Sequence, residues 1–207
     1  MVGGVEVRGL LALLLVGACG SPTSPPPPAD SAASVPERQT AAAATTTVDV
    51  RSVPPTIDLS YVTAVVAAID HVEAEAWRLV QATGAVTVEA VAFVESSATA
   101  AALDVRMSTL ASVLTVDPSL VSHPIGDTVT TVERMAAASP ECISLIGLRD
   151  SRGARPTSAP RRVALRLRPA ASAKRPDTRL NPSAFAIDAS FVIEAAEDEQ
   201  AVVTLCP

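Results

Sequence analysis

Two histidines are the side chains of this sequence best suited to act as a general base or a metal ligand near neutral pH. His71 is followed one helical turn later by Glu75, so a helix would present an imidazole and a carboxylate together. Two ligands are too few to define a metal site, and we interpret the pair as part of a solvated helix face. His123 precedes a proline in a predicted loop without a visible partner. The histidines therefore predict neither a catalytic residue nor a metal site.

Motifs that mark common catalytic sites are also missing from the sequence. It contains no GxSxG elbow, no HExxH pair, no phosphate-binding Walker loop and no glycine-rich dinucleotide turn. We accordingly expect a protein that is not an enzyme and that needs no cofactor. An envelope enzyme is the least favoured alternative.

Cysteine is the other reactive residue type, and the first of the three cysteines follows a segment typical of export. Residues 1–18 contain one arginine, an apolar run too short to span a bilayer, and small residues directly before Cys19. The four residues Val16-Gly17-Ala18-Cys19 resemble the lipobox of bacterial lipoproteins. In that family the thiol receives a diacylglycerol and a signal peptidase then cuts just before the cysteine.

The lipobox resemblance implies that residues 1–18 are a signal peptide and that Cys19 is lipidated. The protein would then be anchored by this lipid in the cell membrane, on the extracytoplasmic face, because two acyl chains hold a protein at a bilayer durably. An ordinary secretory signal that happens to contain a cysteine is the alternative. Residues 19–56 are rich in proline, alanine and threonine and show no helical or strand period, which predicts a lipidated cysteine followed by a disordered tether. Residues 57–207 would form a single domain.

Cys142 and Cys206 are the two cysteines that remain if Cys19 is lipidated. An even number of thiols in an oxidising compartment favours a disulfide. The sequence has no CxxC spacing and no histidine beside either cysteine, so a metal-binding or catalytic pair is less favoured. We predict a Cys142–Cys206 disulfide.

The first half of the domain has a helical period. Apolar residues recur at three- and four-residue steps from Val62 to Val80, which is the pattern of an amphipathic helix. Three helices are predicted: one that begins after Asp58 or Ser60 and ends before Gly84, one that begins after Thr87, and one from near Ala98 to Val116.

The second half changes to the two-residue period of strands. The predicted strands cover residues 128–136, 142–149, 162–168 and 185–193, with a hairpin at Ser139-Pro140-Glu141. The first of these could instead be helical, because three alanines follow Met135. Helices before antiparallel strands predict an α+β fold, in which the N-terminal helices pack on a roughly four-stranded antiparallel sheet. By layout alone this fold is similar to the NTF2-like roll, an analogy that implies no ligand.

Three segments together resemble a group of actinobacterial lipoproteins to which no activity is assigned. They are YVTAVVAAIDHVEAEAWR (61–78), ASPECI (138–143) and LNPSAFAI (180–187). In that group a long helix leads to a Ser-Pro-x-Cys segment, an Asn-Pro motif before an aromatic strand and a cysteine near the C-terminus. The resemblance covers the whole domain and implies no catalytic residue.

Charge is distributed unevenly along the chain. The net charge is −6, which argues against nucleic acid as a partner, yet residues 149–179 hold ten basic residues against two acids. Arg162, Arg166 and Arg168 fall on one face of a predicted strand and are candidates for anion binding, since guanidinium groups recognise phosphate and carboxylate. An anionic envelope polymer or an acidic protein would be the partner, whereas a merely solubilising face is the alternative. We therefore expect a binding or structural role at the cell envelope, with a carrier of a small apolar ligand as the second hypothesis.

Overall fold

The computed structural model describes residues 47–116 and 125–206. The predicted signal peptide, the predicted lipidation site Cys19, most of the predicted tether and His123 lie outside the described residues. No helix among the described residues is both long enough and apolar enough to cross a membrane.

The two N-terminal helices have the predicted caps. Helix α1 runs over Leu59–Thr83, and the Asp58 carboxylate accepts a hydrogen bond of 2.8 Å from the amide three residues on. Gly84 ends the helix with a positive φ of 65°, a conformation that favours glycine. Helix α2 covers Val88–Ser97 and is capped in the same way by the hydroxyl of Thr87. Both predictions are confirmed.

The third helix is shorter than predicted. Helix α3 covers Leu103–Ala111 and continues as one 3-10 turn, Ser112–Thr115. It does not begin near Ala98, because Ala98 is extended and bridges to Ile187 of the sheet, whose carbonyl accepts a hydrogen bond of 2.9 Å from the Thr99 amide. A tertiary contact therefore outweighs the local preference of alanine for helix.

The second half forms an antiparallel sheet in the strand order β1-β2-β3-β4. The strands are β1 Val129–Ser139, β2 Cys142–Asp150, β3 Arg161–Pro169 and β4 Phe185–Val192. The hairpin between β1 and β2 lies where it was predicted, and the residues that could have been helical belong to β1. The α+β fold is thus confirmed.

The main core lies between α1 and one face of the sheet. Side chains alternate along a strand, so residues of one parity face the helices. That row on β2 and β3 includes Leu145, Val163 and Leu165, all of them buried against α1. Val48 and Val50 also pack against this core, so the folded part begins before residue 57, within the range that we assign to the tether.

A short C-terminal helix covers the opposite face of the sheet. Helix α4, Ala196–Val203, was not predicted. Its Val202 packs with Ile146 of β2 in a small separate core. The Cys142–Cys206 disulfide follows the helix and joins the end of the chain to the start of β2, as predicted. The sheet therefore has a helical cover on each face.

Candidate functional site

Two carboxylates on the core face of α1 form the centre of a buried ion cluster. Asp70 and Glu73 are only 3% and 4% exposed. Glu73 Oε2 accepts a hydrogen bond of 3.0 Å from the guanidinium of Arg106 on α3, and a second one from Arg149 on β2. Asp70 Oδ1 lies 3.8 Å from Arg149. Because an unpaired buried charge is costly, the two arginines and the two acids hold the helices against the sheet.

The negative charge of Asp70 is less well compensated by nearby arginines than that of Glu73. Its carboxylate accepts hydrogen bonds from the backbone amide of Thr130 at 2.7 Å and from the hydroxyl of the same residue at 3.2 Å. Burial nevertheless raises the pKa of Asp70 to about 6, since it outweighs the attraction of Arg149. Asp70 therefore changes charge in a pH range where most carboxylates stay ionised.

Glu73 behaves in the opposite way. Burial would raise the pKa of this carboxyl, but the nearby charges of Arg106 and Arg149 hold it below its ordinary value. Glu73 consequently stays ionised at neutral pH as the shared counterion of both arginines.

Two arginines face each other across neighbouring strands next to this cluster. Arg149 of β2 and Arg161 of β3 are direct register partners, and both belong to the rows that face the helices. Like charges placed directly opposite one another destabilise a sheet. Arg149 is compensated by Glu73, whereas Arg161 is exposed and makes no ion pair with any residue of the described ranges. The pair is therefore a concentration of positive charge that the fold itself balances only in part.

A cleft of about 240 Å³ lies over this pair, between the sheet and the helices. It is lined by charged, hydroxyl and apolar side chains: Glu73, Arg106, Arg149, Arg155, Arg161, Thr109, Ser151, Ser158, Ser190, Trp77, Val105, Ala159, Val163 and Val192. We call it the arginine cleft.

Arg155 is held in place at the wall of the arginine cleft. Its guanidinium donates a 3.0 Å hydrogen bond to the Thr109 carbonyl of α3 and another to the Ser112 hydroxyl. It also lies 5.8 Å from the ring centroid of Trp77, a cation–π distance. Burial lowers the pKa of Arg155 from its ordinary value; the attraction of Glu73 opposes this change, and the like charges of Arg149 and Arg161 add to it. Arg155 is thus a further cation beside the cross-strand pair.

The charges around the arginine cleft do not cancel. Four arginines of its lining stand against Glu73 in the cleft and Asp70 just behind it. Moreover, Nη1 of Arg149 and Nε of Arg155 are buried without a hydrogen-bond partner in the described part of the chain. Buried donors of this kind are normally satisfied, so these two guanidinium groups are incompletely paired by the fold.

The three arginines singled out from the sequence lie on the other side of the sheet. Arg162, Arg166 and Arg168 share one face of β3, as predicted, but it is the face toward α4 and not the cleft. Each has an acidic neighbour: Arg162 pairs with Glu199 of α4 at 2.6 Å, and Arg166 lies 2.6 Å from Asp188.

Arg168 is more loosely placed, 3.9 Å from the same Asp188. Acidic residues of the domain consequently neutralise much of the positive charge of these three arginines. The anion-binding role of Arg162, Arg166 and Arg168 stays a prediction.

His71 does not belong to the arginine cleft. It is 59% exposed, and its imidazole lies 3.7 Å from both Glu75 and Asp127, next to the ion pairs that Arg78 makes with the same two acids. Among the described residues, no group of three or more histidine, cysteine or acidic side chains has the arrangement of a metal site. The predicted proximity of His71 and Glu75 is confirmed.

Sequence reasoning did not identify the residues of the arginine cleft as a site. The signal that could have found them is the position of Asp70 and Glu73 on the same stripe of α1 as Ile69, Ala76 and Trp77. Carboxylates within an apolar stripe must be buried, and buried carboxylates require cationic partners. The excess of arginine after residue 148 indicates where such partners could come from.

Comparison with protein-family models, with curated proteins and with solved structures finds no match to this chain. The likeness to the NTF2-like roll and the resemblance to actinobacterial lipoproteins therefore stay predictions, and the geometry of the arginine cleft is the basis for the function proposed below.

Proposed function

We propose that this chain is a lipid-anchored protein of the bacterial cell envelope and that its domain binds a small anionic ligand in the arginine cleft. The observation that carries the binding role is the cross-strand pair of Arg149 and Arg161, with Arg155 beside it and fewer acids than cations around the cleft. Preorganised guanidinium groups bind carboxylates and phosphates strongly, because their donors match the two oxygens of such groups.

The anchor is supported by the lipobox resemblance at Val16-Gly17-Ala18-Cys19 and by the disulfide, which suits an oxidising compartment. Mass spectrometry of the protein isolated from membranes tests this part. We expect a mature chain that begins at Cys19 with a diacylglyceryl group. A chain that retains Met1, or an unmodified Cys19, would contradict it.

The binding role can be followed at a single resonance. Trp77 is the only tryptophan of the sequence, and it lines the cleft under Arg155. Its indole N–H therefore gives one isolated peak in a proton–nitrogen correlation spectrum. The full chain carrying Cys19→Ser, which cannot be lipidated, is titrated with acetate and with inorganic phosphate at constant ionic strength. We expect a saturable shift of this peak, and a lower affinity when the titration is repeated at a higher ionic strength.

Substitutions at neighbouring positions distinguish the two faces of the sheet. Arg161→Gln should weaken binding roughly tenfold, the value of one hydrogen bond to a charged group. Arg152→Gln is the control, because Arg152 is exposed, pairs with Asp150 and does not line the cleft. Arg162→Gln changes the next residue of β3, on the α4 side. A loss with Arg162→Gln and none with Arg161→Gln would move the site to the opposite face and refute the cleft.

A structural role alone would produce no saturable shift with either anion. In that case the ion cluster would serve only to hold α1 and α3 against the sheet.

A further inference from the structure

The arginine cleft has an apolar half next to its charged half. In the sheet, Val163 of β3 pairs directly with Val192 of β4, and both line the cleft. Val163 lies two residues beyond Arg161 on the same face of β3, a distance of about 7 Å. A patch of valine side chains thus adjoins the cross-strand arginine pair.

The apolar half is open to an incoming molecule. Val163 is buried, but Val192 is 39% exposed, and Val105 on α3 is 58% exposed. Both exposed valines belong to the lining of the cleft. Their apolar surface would be removed from water by a ligand that extends from the arginines toward them, which is a favourable term in binding.

The size of the cleft sets the scale of such a ligand. A volume of about 240 Å³ corresponds to the space of about eight water molecules in the liquid. It is smaller than the pockets that hold drug-sized molecules, which begin at roughly 300 Å³. A short acyl or alkyl chain with one anionic head group fills it.

We infer that the ligand of the arginine cleft is a small amphipathic anion, a short-chain carboxylate or alkyl phosphate whose head group binds at Arg149 and Arg161 and whose apolar chain lies on Val163 and Val192. This inference rests on the proposed function and adds the chemical class of the ligand to it. The polar contacts account for the head group, and the adjacent valine pair accounts for the chain.

A homologous series tests the inference with the same tryptophan resonance. Acetate, butyrate, hexanoate and octanoate are titrated separately into the full chain carrying Cys19→Ser, with 1-hexanol as the uncharged counterpart of hexanoate. We expect affinity to rise roughly three- to fourfold for each methylene that becomes buried and then to level off near hexanoate, when the cleft is full. Hexanol should bind far more weakly than hexanoate.

Two valine substitutions separate the apolar half from the charged half. Val192→Asn should reduce the affinity for hexanoate and leave that for acetate nearly unchanged. Val129→Asn is the matched control, since Val129 is an exposed strand valine that does not line the cleft. Its substitution should change neither affinity. Circular dichroism of each variant confirms that the fold is retained.

The outcomes distinguish this inference from the proposed function. Equal affinity for acetate and hexanoate would leave an anion site and overturn the amphipathic ligand. A site that binds hexanol as tightly as hexanoate would overturn both, because charge would then have no part in binding. Absence of any shift would likewise overturn both. Hexyl phosphate is compared with hexanoate last: tighter binding of either identifies the head group, and both results support an amphipathic anion.

Discussion

The buried carboxyl of Asp70 predicts an unusual pH dependence of stability. In the unfolded chain this group titrates near 3.8, whereas in the folded protein burial raises its pKa to about 6. Between these two values the folded state binds the proton more tightly than the unfolded state. The contribution of Asp70 to the free energy of unfolding therefore decreases as the pH rises from about 4 to about 6, and it is constant above that range.

The size of the effect follows from the two pKa values. A difference of one pKa unit is worth about 1.4 kcal/mol, so the rise from 3.8 to about 6 corresponds to about 3 kcal/mol. Asp70→Asn removes the titration but keeps an oxygen that can accept from the Thr130 amide. The stability of the native protein relative to this variant should thus fall by about 3 kcal/mol between about pH 4 and about pH 7.

Urea unfolding followed by circular dichroism measures this difference at several pH values. The variant serves as the reference for titrating groups that lie away from Asp70, because these groups are the same in both proteins. If the free energy of unfolding depends equally steeply on urea concentration in both proteins, the substitution changes stability and not the compactness of the unfolded chain. A stability difference that is independent of pH, or that grows in favour of the native protein as pH rises, would refute the assignment of Asp70 as a poorly compensated buried acid.

Three further predictions concern the stability of the fold. Glu73→Gln should destabilise the protein by about 3 kcal/mol or more in urea unfolding, because it leaves two buried guanidinium groups without their shared counterion. Glu75→Gln, half a turn on and 38% exposed, should cost less than about 1 kcal/mol. Replacing Cys142 and Cys206 together by alanine should lower the free energy of unfolding by about 4 kcal/mol, since the bond closes a loop with a separation of 64 residues. Asn181→Ala should cost about 2 kcal/mol, because the buried amide donates to two backbone carbonyls at 3.1 Å, and a loss below about 0.5 kcal/mol in the same assay would contradict this role.

Local sequence signals predicted the elements whose ends depend on local chemistry. Asp58 and Gly84 bound α1 because a carboxylate can cap a helix start and glycine can adopt the left-handed end. The alternation of β3 likewise places its aliphatic residues toward α1. These features depend on residues close to each other in the chain.

Several features that depend on distant residues were not predicted. Helix α3 begins late because Ala98 bridges to Ile187 of β4, whose carbonyl accepts from the Thr99 amide. Helix α4 was not predicted because its few apolar residues form a buried face only when they pack against the outer face of the sheet. The alternation of β3 placed Arg162, Arg166 and Arg168 on one face of the strand, and the structure shows that this face lies toward α4 and not toward the arginine cleft. The arginine cleft is lined by residues of α1, α3, β2, β3 and β4. The strand register that brings these residues together is known only from the three-dimensional structure.

The direct test of the central claim is to locate an anion in the protein. A crystal structure with ω-bromohexanoate would mark the chain end by the anomalous signal of bromine and the head group by its density. We expect the carboxylate at Arg149 and Arg161 and the bromine beside Val192. Bromine found only on the α4 side of the sheet, near Arg166, or an arginine cleft without the ligand at saturating concentration, would contradict the claim that this cleft is an anion-binding site.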